Sequence, residues 1–313
     1  MSKRLTMALI FLVSTAIIGC IRVGPPYKIP PVQGYGDWNQ NSDPHISNSA
    51  DNANTWGVVF EDPRLQRLIN LAIAKNYSLK AAAWRICEAR AQLQIATGEL
   101  FPQTQQAFGS WESVQVSKHA PNARFADRRY RNALIGLAVS WELDFWGKYR
   151  SAIDSAEYNY DASEADYFAV KLILTADIAK AYISLCTFID IRRVILENIR
   201  LQRRSMEIIR VRLEGGVVSK LDLQQAQVLL SNTEAQLPIV EREVVNQKNA
   251  LAVLLATTPD EISCILNFED LSIPFIPATV AVGVPTNVLS RRPDLIAARQ
   301  QILAQTAIVG VSE

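Results

Sequence analysis

The side chains best suited to covalent or acid–base chemistry are few in this chain. It has four cysteines, Cys20, Cys87, Cys186 and Cys264, and two histidines, His45 and His119. The cysteines form no Cys-x-x-Cys pair and keep no metal-ligand spacing. Cys87 and Cys186 stand in helical apolar patterns, where a small buried thiol is the ordinary role. There is no phosphate-binding glycine loop, nucleophile elbow or metal-binding helix motif. Glu142 and Asp144 are near one another, but on an alternating segment where hydration of a polar face accounts for them. The reading is a protein that is not an enzyme and needs no cofactor or metal. A net charge of +1 gives no electrostatic case for nucleic acid.

One thiol does have a reactive setting. Lys3 and Arg4 precede the apolar run Met7–Ile18, and the run ends at Gly19-Cys20. A basic start, a short apolar core and a small residue before the cut make residues 1–19 a signal peptide, too short to be a good spanning helix. Ile17-Ile18-Gly19-Cys20 resembles a bacterial lipobox, in which the cysteine is acylated and becomes the mature N-terminus. The alternative is an ordinary signal with an incidental cysteine. Acyl chains contribute about 0.8 kcal/mol per buried CH₂, so a lipidated Cys20 would hold the protein on a membrane. Ile rather than Asp at position 21 implies outer-membrane sorting.

The other chemistry is that of surfaces. Within residues 131–146 every odd position from 133 to 145 is apolar: Ala133, Ile135, Leu137, Val139, Trp141, Leu143 and Phe145. The even positions from 132 to 144 are polar or small, apart from Leu134. Strand side chains point alternately to two faces, so this segment has one oily and one wet face. It is long enough to cross hydrocarbon as a tilted strand, which takes roughly 9–11 residues. Residues 103–117 are the partner strand, with poorer alternation. Ile135, Leu137, Val139, Trp141 and Leu143 are the expected lipid-facing residues. Between the strands lie Lys118, Arg124, Arg128, Arg129 and Arg131, a loop either solvated or in contact with acidic headgroups.

Long helices must position this ribbon. Residues 20–62, rich in Pro, Gly, Asn and Ser, read as an extended tether. Asp62-Pro63 opens a helix expected over 63–102, with the seam Leu79, Ala82, Ile86, Ala89, Leu93, Ala96, Leu100 in three-four steps. From Lys148 to about Leu213 no proline or glycine intervenes, which predicts a helix on the order of 100 Å. Its seam holds Ile178, Tyr182, Leu185, Ile189, Ile195, Ile199, Met206, Ile209 and Leu213. Gly215-Gly216 stops it. Ser219 then caps a second helix with Asp222 at capping-box spacing. That helix steps from Leu223 through Leu230 and Leu237 to Leu254, with a kink expected at Pro238. The short turn forces the two helices antiparallel, a hairpin over 147–258. A proline-rich crossover fills 259–289, and residues 290–313 restart the seam at Leu295, Ala298, Ile302, Gln305 and Val309.

Five ordered segments resemble the TolC-like outer-membrane efflux factors, in their NodT-type lipoprotein branch. They are Val23-Gly24-Pro25-Pro26-Tyr27, Phe60-Glu61-Asp62-Pro63-Arg64-Leu65, Trp141-Glu142-Leu143-Asp144-Phe145-Trp146-Gly147-Lys148, the tip from Arg212 to Asp222, and Arg291-Arg292-Pro293-Asp294-Leu295. The resemblance implies a mainly α chain with a membrane β-hairpin: long antiparallel coiled-coil helices of an α-barrel joined to transmembrane β-barrel strands. It implies a homotrimer in outer-membrane lipid, docking to a periplasmic membrane-fusion adaptor and through it to an inner-membrane pump. Gly215, Gly216, Ser219, Leu221 and Asp222 are then the adaptor-contact residues, beside their plain role as cap and turn. The function implied is passive export of small molecules or ions.

The family's second strand pair and second helical hairpin have no counterpart here. The sequence reading is therefore a fragment, a split gene or a disrupted gene, incomplete as a channel by itself. The competing reading is a lipid-anchored periplasmic coiled coil with no channel. The ribbon at 131–146 separates the two, since a soluble coiled coil has no use for an oily strand face.

Overall fold

The computed structural model describes residues 46–47, 60, 62–119, 128–268, 270–275, 280–281 and 285–312. The signal peptide, Cys20, most of the tether and the middle of the 118–131 loop lie outside the described residues. In chain order the elements are β1 (Ile46–Ser47), α1 (Pro63–Lys75), α2 (Tyr77–Gly98), β2 (Thr104–Gln115), β3 (Arg129–Ser140), α3 (Lys148–Glu214), α4 (Lys220–Leu254), α5 (Pro259–Ile265), β4 (Val280–Ala281), α6 (Pro285–Arg291) and α7 (Pro293–Ser312). They form two compact units. One is built from Arg85–Glu164 and the residues from Ala297 onward, the other from Pro31–Trp84 and Ala165–Ile296.

The second unit has the larger core. Asp62 caps α1, its Oδ1 accepting from the Arg64 amide at 2.8 Å, with Pro63 in the first turn where no N–H is needed. Leu65, Leu68, Ile69 and Ala72 are buried against Ile178, Tyr182, Leu185 and Cys186 of α3 and Leu251 and Leu255 at the end of α4. The Tyr182 hydroxyl donates to Asp62 Oδ2 at 2.7 Å, so one carboxylate serves both the cap and the core. Burial first, then this bond, raises the Tyr182 pKa. Burial likewise pushes the Cys186 thiol up to about 11, which leaves it unreactive. Cys87 departs from the expectation: it is exposed. It follows the half-buried seam residue Ile86, and one helical step of about 100° turns it out of the seam.

The helix expected over 63–102 is two helices. Asn76 leaves the helical region at ψ 129° and satisfies both ends. Its N–H donates to Ala72 O at 2.8 Å, its Oδ1 accepts from the Leu79 amide at 2.9 Å, and its Nδ2 donates to Leu254 O at 2.9 Å. A short amide side chain that competes for backbone groups is suited to such a joint. Beyond it the α2 seam is as expected: Ile86, Ala89, Leu93 and Ala96 are half-buried while their neighbours are exposed.

The 67-residue α3 and the 35-residue α4 pack along the expected seam. Ile195 and Ile199 meet Leu230, with Met206, Leu237 and Val240 around them. Pro238 lies inside α4, and the helix runs on through it. The sequence reading finds no internal stretch that reads as a membrane helix, whereas one 18-residue window of α3 is long and apolar enough to cross a membrane by length and composition alone. Of that window 44% is buried.

The crossover is more structured than its prolines suggest. Thr258 caps α5, and Ile262, Leu266 and Leu271 close the core from below α4. Arg64 Nη1 and Arg193 Nη2 tie the next stretch down by donating to Asp270 O and Leu271 O. β1 and β4 pair in parallel, Ile46 with Val280 and Ser47 with Ala281, so part of the tether is held to the crossover. In α7 the buried residues are Ala297, Ala304 and Gly310, whereas Leu295, Ile302 and Val309 of the expected seam are exposed. Two stripes with three-four spacing share this helix. The small-residue stripe permits the closer approach, and it is the one that packs.

Candidate functional site

The first unit contains the ribbon. β2 and β3 are antiparallel over their full lengths, from Thr104 opposite Ser140 to Gln115 opposite Arg129. On one face Ala133, Ile135, Leu137 and Val139 stand opposite Trp111, Gly109, Ala107 and Gln105. This face is unusually bare. Ile135 is 91% exposed, Leu137 83% and Trp111 70%. On the other face Glu112, Ser110, Gln106 and Thr104 stand opposite Asn132, Leu134, Ala138 and Ser140. There the far end of the Phe108 ring occupies the space beside Gly136, where a Cβ would sit 2.4 Å from it. Trp111 is a residue of the oily face that sequence alternation missed. Its neighbours Gly109 and Ala107 are too small to signal which face they line.

The strand ends at Ser140, six residues short of the expected 146. Trp141 and Leu143 are exposed but lie beyond the ladder, so they are not strand residues. Their segment turns toward the helices. Trp141 Nε1 donates to Leu100 O at 3.1 Å, and the Glu142 amide donates to Gln103 Oε1 at 2.8 Å. Gly147 adopts φ 83°, open chiefly to glycine, and brings the Asp144 carboxylate onto the Tyr149 and Arg150 amides at 3.2 and 3.1 Å. Glu142 accepts from the Tyr149 hydroxyl at 2.8 Å and from Lys148 at 3.4 Å. Both carboxylates therefore secure the strand-to-helix corner; neither is on the strand, where the sequence reading puts them.

The second unit contains the tip. The Gly216 amide donates to Leu213 O at 2.9 Å and the Val217 amide to Arg212 O at 2.9 Å, with Gly216 at φ 70°. This is a Schellman closure of α3. Ser219 and Asp222 complete a capping box: each side chain accepts from the other's backbone amide. The Ser219 hydroxyl and amide hold the Asp222 carboxyl below its ordinary 3.8. A depressed carboxylate adds its stability above that value and loses it as pH falls through the lowered one, so the box is intact at neutral pH. All five predicted tip residues come together in this one turn. Leu221 is 65% exposed, and the turn adds Val217 at 75%, a residue of the motif that the predicted contact set leaves out.

The two glycines are not equivalent. A Cβ on Gly216 meets no atom, but its φ is left-handed; Gly215 has ordinary φ and only van der Waals neighbours. Gly216→Ala is expected to cost about 1 kcal/mol, from backbone strain alone, and Gly215→Ala close to nothing. Urea unfolding of the two variants side by side measures the difference.

Comparison with known proteins bears on the whole of this arrangement. The sequence profile of the outer membrane efflux protein family matches residues 68–257, well over half of the chain. The chain belongs to the outer membrane efflux protein family.

Among its relatives is the pyoverdine export outer membrane protein OpmQ of Pseudomonas putida, 32% identical over 263 residues, covering 82% of this chain and 55% of OpmQ. The probable outer membrane lipoprotein SilC of Salmonella typhimurium is 27% identical, covering 99% of this chain and 64% of SilC. The solved outer-membrane channel OprN superposes with a TM-score of 0.80 at 27% identity, over 93% of this chain and 64% of OprN. The chain thus spans between about half and two thirds of the relatives it matches. The fold class is that of these channels, α-barrel helices joined to β-barrel strands.

Proposed function

We infer that this chain is the outer-membrane duct component of a tripartite, RND-type efflux system, a passive conduit for small molecules or ions. The observation that supports it is the ribbon: two paired strands with Ile135, Leu137, Val139 and Trp111 bare on one face, and an opposite face where Gln106, Ser110, Glu112 and Asn132 stand beside Phe108 and Leu134. A soluble protein of this size buries such residues or uses them at an interface. The strands need lipid on one side and water on the other. On this reading the protein is a homotrimer, Cys20 is acylated, and the turn at Gly215, Gly216, Ser219, Leu221 and Asp222 meets a periplasmic membrane-fusion adaptor linked to an inner-membrane pump. Val217 and Leu221 supply an apolar contact there, while the capping box keeps the turn in one shape. The relatives are export and efflux proteins, which supports a reading with no catalytic step.

The alternative of a tethered coiled coil is separated by one experiment. A Cys20→Ser chain, exported behind an ordinary cleavable signal in place of residues 1–19, is expected to stay in the outer membrane and to resist carbonate extraction. Release of most of the protein into the soluble fraction would instead favour the purely tethered protein.

A further inference from the structure

We propose that the loop end of the ribbon binds the phosphate groups of anionic lipid at the outer surface of the membrane. This rests on the membrane reading of the ribbon and adds a lipid class to it. The helices join the ribbon at its Thr104/Ser140 end, through Trp141 to Leu100 and Gln103 to Glu142. The opposite end, where Gln115 pairs with Arg129, therefore lies toward the far leaflet.

Arg129 and Arg131 have the parity of Ala133, Ile135, Leu137 and Val139, so they stand on the oily face itself. Arg131 is two residues, about 7 Å, beyond Ala133. On the membrane reading, that step and the length of the side chain carry its guanidinium out of the apolar band toward the headgroups. The facing positions on β2 are the neutral Gln115 and Ser113, and Arg129 Nη2 donates to Gln115 Oε1 at 3.4 Å. Arg128 and Lys118 are exposed at the same end. Glu112 belongs to the opposite face, and among the described residues no carboxylate pairs with these four cations. A row of cations bordering an apolar band matches a layer of phosphates above acyl chains, and guanidinium is the group best shaped to grip phosphate oxygens.

The test uses the full chain carrying Cys20→Ser, diluted from detergent into phosphatidylethanolamine vesicles that contain either bis-phosphorylated lipid A or the same lipid dephosphorylated. Capture is read by flotation. The expected result is stronger capture by the phosphorylated vesicles, with the excess falling about twenty-fivefold in Arg129→Gln/Arg131→Gln, roughly fivefold per arginine. Arg129→Lys/Arg131→Lys keeps most of the excess, which separates charge from folding defects. Equal capture by the two vesicles, an unchanged glutamine pair, or competition by millimolar inorganic phosphate would overturn the proposal. Capture by dephosphorylated vesicles reports the ribbon alone. If the Cys20→Ser chain fails even there, the membrane reading fails too, and the two failures are told apart.

Discussion

Arginine at Ile135 or Leu137 is expected to cost about 2–4 kcal/mol each in membrane insertion, and the pair together to abolish it in the Cys20→Ser chain. Both positions lie at the centre of the oily face, opposite Gly109 and Ala107, with no neighbouring carboxylate on that face to neutralise a new charge. The cost is that of holding a guanidinium in hydrocarbon, partly relieved by its reach toward the interface. The matched control is Asn132→Arg, which lies on the other face opposite Glu112 and should be tolerated. Carbonate extraction and flotation of membranes read both. Equal tolerance on the two faces would mean that neither is turned to lipid.

The second large effect concerns the core of the other unit. Leu185→Ala should destabilise that unit by about 2–5 kcal/mol, by removing buried methyl groups and leaving a cavity. Leu185 is fully buried in a cluster fed by α1, α3, the end of α4 and α5. Four elements held by their own caps and hydrogen bonds cannot readily collapse into the space. Leu221→Ala, on the exposed tip, should change stability by less than about 0.5 kcal/mol. Urea unfolding followed by far-ultraviolet circular dichroism distinguishes them. A Leu185→Ala loss as small as that of Leu221→Ala would show that the cluster is loosely packed.

What the sequence made legible follows the strength of its periodicities. The seams of α3 and α4 were readable because proline and glycine mark their ends and the three-four spacing persists over many turns. The tip was readable for a local reason: Ser219 and Asp222 satisfy each other's backbone without help from elsewhere. The end of β3 was not readable. Trp141, Leu143 and Phe145 continue the alternation in composition, but Gly147 and Asp144 turn the chain before them into a helix cap. Asn76 was missed because its role needs Leu254 O, a partner 178 residues away. In α7 two candidate stripes compete, and hydrophobicity favoured the bulky one where closeness of approach favours the small one. The oily face of β2 was hidden by the same blindness to small residues.

The ribbon's pairing has a consequence for how the protein reaches its final state. β2 pairs only with β3 among the described residues, so each strand keeps one flank of unmatched amides and carbonyls. Water satisfies that flank, but acyl chains do not, and each orphan group left in them costs several kcal/mol. A lone copy therefore has no stable resting place inside the bilayer. Partition into lipid and lateral closure with neighbouring strands have to occur as one concerted event. Mutations that weaken closure should then leave unassembled protein stranded on the aqueous side, with no half-inserted form to be found.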